Sequence, residues 1–195
     1  MDELQAVNTL LRSVNTAPVS EIDTANIRVA LAKETLDRER ERILTMSWWF
    51  NKEKITVEED VDGRIAVPET YLKVDKYDTY NTAVPDILVR GSYLYNKTEG
   101  TNVFTGSMVL IVTKLLDWDD IPTPCRELIL AEARLVFVSE VLSSSAVTSF
   151  MVDQRERAMT LANQANTQNS NINLFTSNDT RYDTVSRRRN RRRRV

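Results

Sequence analysis

The sequence predicts an α+β fold: a helical bundle with an inserted small antiparallel β-domain and an extended C-terminal arm. Three observations lead there. Apolar residues recur at helical spacing over residues 3–46 and again over 121–162. Between them, residues 51–118 switch to a period near two, with glycine and proline turn signals and more β-branched and aromatic residues. From about Asn163 the chain is dominated by Asn, Gln, Ser and Thr and ends in an arginine run, a composition that cannot bury enough apolar surface to hold a core. The expected units are a helical body from 1–50 and 119–162, a β-domain over 51–118, and an arm over 163–195.

The elements follow in order. Leu4, Val7, Leu10, Leu11 and Val14 make one apolar stripe, predicting a helix over 3–14 that Asn15 and Pro18 stop. Ser20 to Asp23 resembles a capping box and predicts that a second helix starts there. Its stripe is Ile22, Ala25, Val29, Ala32, Leu36 and Ile43, interrupted only at Glu39 and Arg40, and it runs to about Met46. Glu34 with Arg38, and Asp37 and Glu41 with Arg42, are placed for local pairs along its polar face. Trp48, Trp49 and Phe50 read as a plug closing the core, with a base-stacking platform as the alternative.

In the central region, Ile55–Val61 and Arg64–Val67 around Asp62-Gly63 predict a hairpin. Tyr71–Val74 is a short strand. Asp86–Asn96 reads as one longer strand with a bulge at Gly91. Met108–Lys114 is an unbroken apolar run, as expected of a strand buried on both faces. The acidic and proline-containing stretch from Asp119 to Pro124 predicts a helix start, followed by a helix apolar on much of its circumference. Ser143 to Ser145 marks a weak point, and Phe150–Ala165 continues as an amphipathic, charged helix.

Composition narrows the function. The 195 residues are 42% hydrophobic and 28% charged, ordinary for a globular protein. No apolar run approaches the ~20 residues of a membrane span, and the acidic N-terminal stretch lacks the order of a signal peptide. There is no histidine and one cysteine. The commonest general base and metal ligand are therefore missing, and a cysteine zinc cluster is excluded. Four scattered glycines cannot build a phosphate-cradling loop. No enzyme activity, metal or cofactor is expected.

The formal net charge of −2 hides an asymmetry. The last nine residues carry seven arginines: Arg187, Arg188, Arg189, Arg191, Arg192, Arg193 and Arg194. Setting those seven aside leaves 19 basic against 28 acidic residues, a net of −9. The tail is open to three readings: a solvated segment, contact with DNA phosphates, or docking into an acidic groove on a protein. Ile172, Leu174 and Phe175 form one apolar knot in the arm. Two carboxylate clusters, Glu58-Glu59-Asp60-Asp62 and Asp117-Asp119-Asp120, are the remaining chemistry-bearing groups. The first lacks calcium-loop spacing, and the second sits where a helix start favours negative charge. Cys125, two residues after a proline-led helix start, is expected to feel the helix dipole, which lowers a thiol pKa, although a buried apolar role fits it better.

The stretch Leu4 to Ser13, then Pro18-Val19-Ser20, then the long helix ending in Trp48-Trp49-Phe50-Asn51, resembles the tail tubular protein A family of short-tailed bacteriophages. The central Val89-Arg90-Gly91-Ser92-Tyr93-Leu94-Tyr95 and the later Asp119-Asp120-Ile121-Pro122, leading to Ala133-Arg134 and Phe137, match in order and spacing. The resemblance covers roughly residues 3–140. It implies a structural virion protein: a head-to-tail adaptor, or gatekeeper, forming a dodecameric ring between the portal protein and the tail nozzle protein, with double-stranded DNA passing through the lumen. It implies a place in the virion at the head-to-tail junction after synthesis in the host cytoplasm. An acidic body suits a lumen through which DNA slides. Ring assembly needs two complementary surfaces, expected on the charged faces of 21–46 and 150–162. The arm, through Ile172, Leu174, Phe175 and the arginines, is the expected docking element for portal or DNA. The alternatives are a nucleic-acid-binding accessory protein anchored by the arginine tail, and an enzyme using the carboxylates.

Overall fold

A computed structural model describes residues 1–77, 85–142 and 145–170. The first helix, α1 (Glu3–Ser13), is capped by Asp2: its carboxylate accepts from the Gln5 amide while the Gln5 side chain accepts from the Asp2 amide. It ends at Asn15, which takes the positive φ of 56° that asparagine tolerates best among the larger residues. Of the expected stripe, Val7, Leu10, Leu11 and Val14 are inside, Leu4 is half-buried, and Ala6 is added.

The second helix, α2 (Ile27–Leu44), starts seven residues later than the capping-box reading of Ser20. Residues 20–26 are turns, and Asn26 is the cap, accepting from the Arg28 amide at 3.0 Å. Asp23 instead caps the turn before α2 through the Ala25 amide, while Ser20 caps no helix.

Five strands follow: β1 (Lys52–Val57), β2 (Tyr71–Lys76), β3 (Ile87–Arg90), β4 (Tyr93–Asn96) and β5 (Met108–Lys114). β5 is central in an antiparallel sheet of order β1-β5-β2, and β3 and β4 form a separate hairpin. The expected hairpin around Asp62-Gly63 does not form a ladder. β1 pairs with β5 over its whole length, and 64–67 runs beside β4, bonded through Leu94 to Ile65 and Val67 to Ser92. The tight turn itself is present, with Gly63 at φ 75° and its amide on the Asp60 carbonyl. What overrode the local signal is the apolar run of β5, which takes β1 as its long-range partner.

The expected single strand 86–96 is also corrected. Gly91 is not a bulge but the first residue of a two-residue turn, at φ 60°. Glycine is the residue that a II′ hairpin turn requires there. Leu88 and Arg90 therefore share a face with Tyr93 and Tyr95, and Val89 shares the other with Leu94. The two β layers close on one core of Ile65, Val67, Leu94, Phe104, Leu110 and Val112.

A 3-10 turn (Trp118–Asp120) leads into α3 (Thr123–Leu142). The acids at 119 and 120 thus precede this helix and do not lie in its first turn. α3 gives way to α4 (Ser145–Asn169) at the expected serine break. The two run antiparallel, as the pairs Arg155–Glu132 and Arg134–Gln154 require. The polar stretch from Asn163, expected in the arm, is helix as far as Asn169. Ala162 is buried, and the Asn166 side chain accepts from the Trp49 amide at 3.0 Å. The helices enclose a larger core in which Leu36, Ile43, Leu128, Ile129, Phe137 and Trp118 are central. Each such fully buried side chain contributes about 1.5–3 kcal/mol.

Candidate functional site

The junction between the helices and the sheet is built on Asn51. It is fully buried. Its Oδ1 accepts from the Trp48 amide at 2.8 Å, and its Nδ2 donates to the carbonyls of Leu44 and Lys114, both at 2.9 Å. One side chain thus caps α2 and holds the end of β5 against it. Trp48 is buried with its Nε1 on the Ile43 carbonyl at 2.7 Å, and Trp49 and Phe50 meet edge to face at 4.9 Å. These rings close the helical core. The base-stacking alternative fails at Trp48, which presents no face to solvent.

The helical charges are largely spent within the chain. Lys33 bridges Glu3 and Asp37, and Arg40 joins the same two carboxylates, tying α1 to α2. Glu39 and Glu132 are each 5% exposed. Arg42 lies between them at 2.6 and 3.0 Å, and Arg155 reaches Glu132 at 2.7 Å. Burial works against the Arg42 charge, but the two carboxylates more than offset it and raise its pKa. Arg38 pairs with Glu140 at 3.0 Å. The expected local pairs along α2, Glu34 with Arg38 and Asp37 and Glu41 with Arg42, do not form; other pairs on the same helix (Lys33–Asp37, Asp37–Arg40, Glu39–Arg42) and bonds to neighbouring helices take those charges.

Outward charges on α2 and α4 left without an ion-pair partner among the described residues are Arg28, Glu34 and Glu41 on α2 and Asp153, Glu156 and Arg157 on α4. On α4, Phe150 (63% exposed) and Leu161 (52% exposed) lie in line with Asp153 and Arg157 on one stripe. It is an amphipathic face that the described residues leave uncovered.

The first carboxylate cluster holds turns, whereas the second makes no side-chain cap. Asp60 accepts from the amides of Asp62 and Arg64. Glu59 accepts from the Gly106 amide at 2.8 Å, a bond that lowers its pKa. Asp119 lies 3.9 Å from Arg126. Among the described residues no three potential ligands converge on a metal position, and no helix is long and apolar enough to cross a membrane. Cys125 is fully buried, and burial pushes its thiol up to about 12. The expected lowering by the helix dipole is overturned by the loss of water around the sulfur. The arm residues Ile172, Leu174, Phe175, Arg187, Arg188, Arg189, Arg191, Arg192, Arg193 and Arg194 lie outside the described residues.

Sequence reasoning missed Asn51, whose role depends on contacts with residues 63 positions away, and it missed the buried pairing of Glu39 and Glu132. The only signal was negative: Glu39 interrupts an otherwise apolar stripe.

The family model for tail tubular proteins matches residues 4–172, including nearly all of the described structure. The chain is also 33% identical over 122 residues to tail tubular protein A of Klebsiella phage KP34, an alignment covering 63% of this chain and 63% of that relative. The matched part is thus somewhat under two thirds of the relative's length. The chain belongs to the tail tubular protein family, whose members are structural proteins of bacteriophage tails.

Proposed function

We propose that the chain is the head-to-tail adaptor of a short-tailed phage. Copies of it form a ring, a dodecamer in this reading, that joins the portal protein to the tail nozzle protein and encloses part of the DNA channel. The family match over residues 4–172 carries the reading. The uncovered faces support it. α2 presents Glu34 and Glu41 together with Arg28, and the Phe150–Leu161 stripe of α4 presents apolar groups with Asp153 and Arg157. Two unlike surfaces on one subunit are what a closed heterologous ring needs. The role is structural and needs no catalytic group. The arm docks the ring on portal, with Ile172, Leu174 and Phe175 as an apolar anchor and Arg187–Arg194 in an acidic groove.

Negative-stain imaging and sedimentation of the purified protein, alone and mixed with its portal, test the reading. Rings, or monomers that become rings on portal, are the expected result. A protein that stays monomeric in both conditions overturns it. The seven arginines favour one second reading, an accessory protein anchored on nucleic acid by its tail. Salt-sensitive DNA binding without any portal complex would favour that reading instead.

A further inference from the structure

The outward face of the β3–β4 hairpin carries two arginines and two tyrosines in a fixed arrangement. Tyr93 and Tyr95 are two apart on β4, so their rings rise from the same face about 7 Å apart. Arg90 is directly opposite Tyr93, but its guanidinium lies over Tyr95, 3.7 Å from the ring centroid. On the other side of β4, Ala66 is opposite Tyr93, and the guanidinium of Arg64 lies over Tyr93 at 5.7 Å. Two cations from flanking segments therefore cross diagonally over two rings of the central strand. Neither guanidinium has a carboxylate partner among the described residues. The acids nearest Arg64 in sequence are Asp62 and Asp60; neither forms an ion pair with it, and Asp60 is turned onto the backbone amides of its own turn. Lys97, at the far end of the hairpin, is taken by Asp86 at 2.8 Å.

Stacking leaves the edge N–H groups of a guanidinium free and fixes where they point, so little entropy is lost when they bind. Arg90 occupies one face of Tyr95 at contact distance, and Arg64 sits more loosely over Tyr93, so the cations and not the open rings are what this face presents. The face also lacks an apolar centre: Leu88 is half-buried, and Val89 and Leu94 point to the other side. A protein-binding hot spot is built round a desolvated pocket of that kind. Paired cations with free edges, on a polar and hydrated surface, match a regularly spaced polyanion.

We infer that the Arg64–Tyr93–Arg90–Tyr95 face of the β3–β4 hairpin contacts the phosphate backbone of duplex DNA without reading its sequence. The inference concerns the single subunit and stands whether or not copies of it form a ring.

The test is fluorescence anisotropy of a short labelled duplex with the full-length protein, across about 50 to 200 mM salt. It compares the unaltered chain with R64Q/R90Q. Both are also measured with the seven tail arginines changed to glutamine, so that the tail's contribution is separated. Losing two phosphate contacts lowers the slope of log affinity against log salt by about 1.8 on either background. R64K/R90K, which keeps the charges, retains the slope while binding more weakly. If the double variant unfolds, R90Q alone, at an exposed position, lowers the slope by about 0.9. An unchanged slope in the folded variants overturns the inference. So does an unchanged slope accompanied by loss of a protein partner, which would assign the face to acidic protein.

Discussion

Cys125 and Asn51 show how burial decides what a side chain can do. The thiol sits at the start of α3, where the helix dipole would favour a thiolate, yet it is closed off from water and held up to about 12. A thiol reagent at pH 8 is expected to leave the native protein unmodified and to label it stoichiometrically in denaturant. Labelling at the rate of a free thiol would contradict the buried environment. The sign of the pH dependence follows. The folded thiol keeps its proton to higher pH than the unfolded one, so the native state binds more protons between the ordinary thiol value and about 12, and stability falls as pH rises through that window. Asn51 is the opposite case, a polar group that burial makes indispensable. It satisfies one amide and two carbonyls from three separate segments. Asn51→Ala leaves the Trp48 amide without its partner and removes one donor from the carbonyls of Leu44, which keeps the Ser47 amide, and Lys114. It is expected to cost about 3 kcal/mol, since each unsatisfied buried group costs roughly 1–3 kcal/mol and some relaxation is available. Urea unfolding measures it, and a loss below about 1 kcal/mol would mean water enters the junction.

Between elements, the pairing of α2, α3 and α4 rests on Glu132. Its carboxylate is buried and takes Arg42 from one helix and Arg155 from another. Glu132→Gln removes the charge that both guanidiniums face. Breaking a buried pair costs about 3–5 kcal/mol. Because both arginines keep partial access to water, about 2 kcal/mol is expected here. The cost should shrink in the R155Q background, as a double-mutant cycle would measure; strict additivity would rule out the coupling. The same contacts explain what could be foreseen. α1, the core face of α2, the extent of β5 and the break between α3 and α4 follow from patterns within one segment, and the sequence predicts them. The expected burial of β5 on both faces does not hold, since Leu110 and Val112 are buried while Val109 and Ile111 on the other face are half-buried. The start of α2, the partner of β1 and the turn at Gly91 depend on which distant segment captures a given strand or cap. The Asp62-Gly63 turn is correctly located, but its flanking residues pair elsewhere, because β5 offers β1 a longer apolar ladder than 64–67 can. The polar stretch 163–169 remains helical because Ala162 is buried and Asn166 bonds Trp49, contacts that composition does not reveal. The carboxylate clusters were visible, but the service of Asp60 and Glu59 in holding turns was not.

At the scale of the whole molecule, charge is divided between a body and a tail. The body uses most of its helical charges on itself, so an acidic excess and one apolar stripe on α4 are what it offers outward. The segment beyond Ser170 holds seven arginines in its last nine residues and one apolar knot at Ile172, Leu174 and Phe175. Ordering such a segment costs about 1–2 kcal/mol per residue in backbone entropy alone. Three apolar side chains at about 1.5–3 kcal/mol each do not offset that. A partner surface supplying many charge-assisted bonds could. A fixed protein groove orders a tail better than DNA in passage does, so portal is the expected partner. Truncation after Val185 removes all seven arginines and keeps the apolar knot. The shortened protein should bind portal much more weakly at low salt, and the difference from the full chain should narrow as salt rises, because screening weakens the arginine contacts in the full chain. Equal portal affinity at both low and high salt would show that the arginines are not the docking element. Portal binding that survives while filled heads leak DNA would put the arginines on DNA, and only the apolar knot would then remain as the anchor on portal.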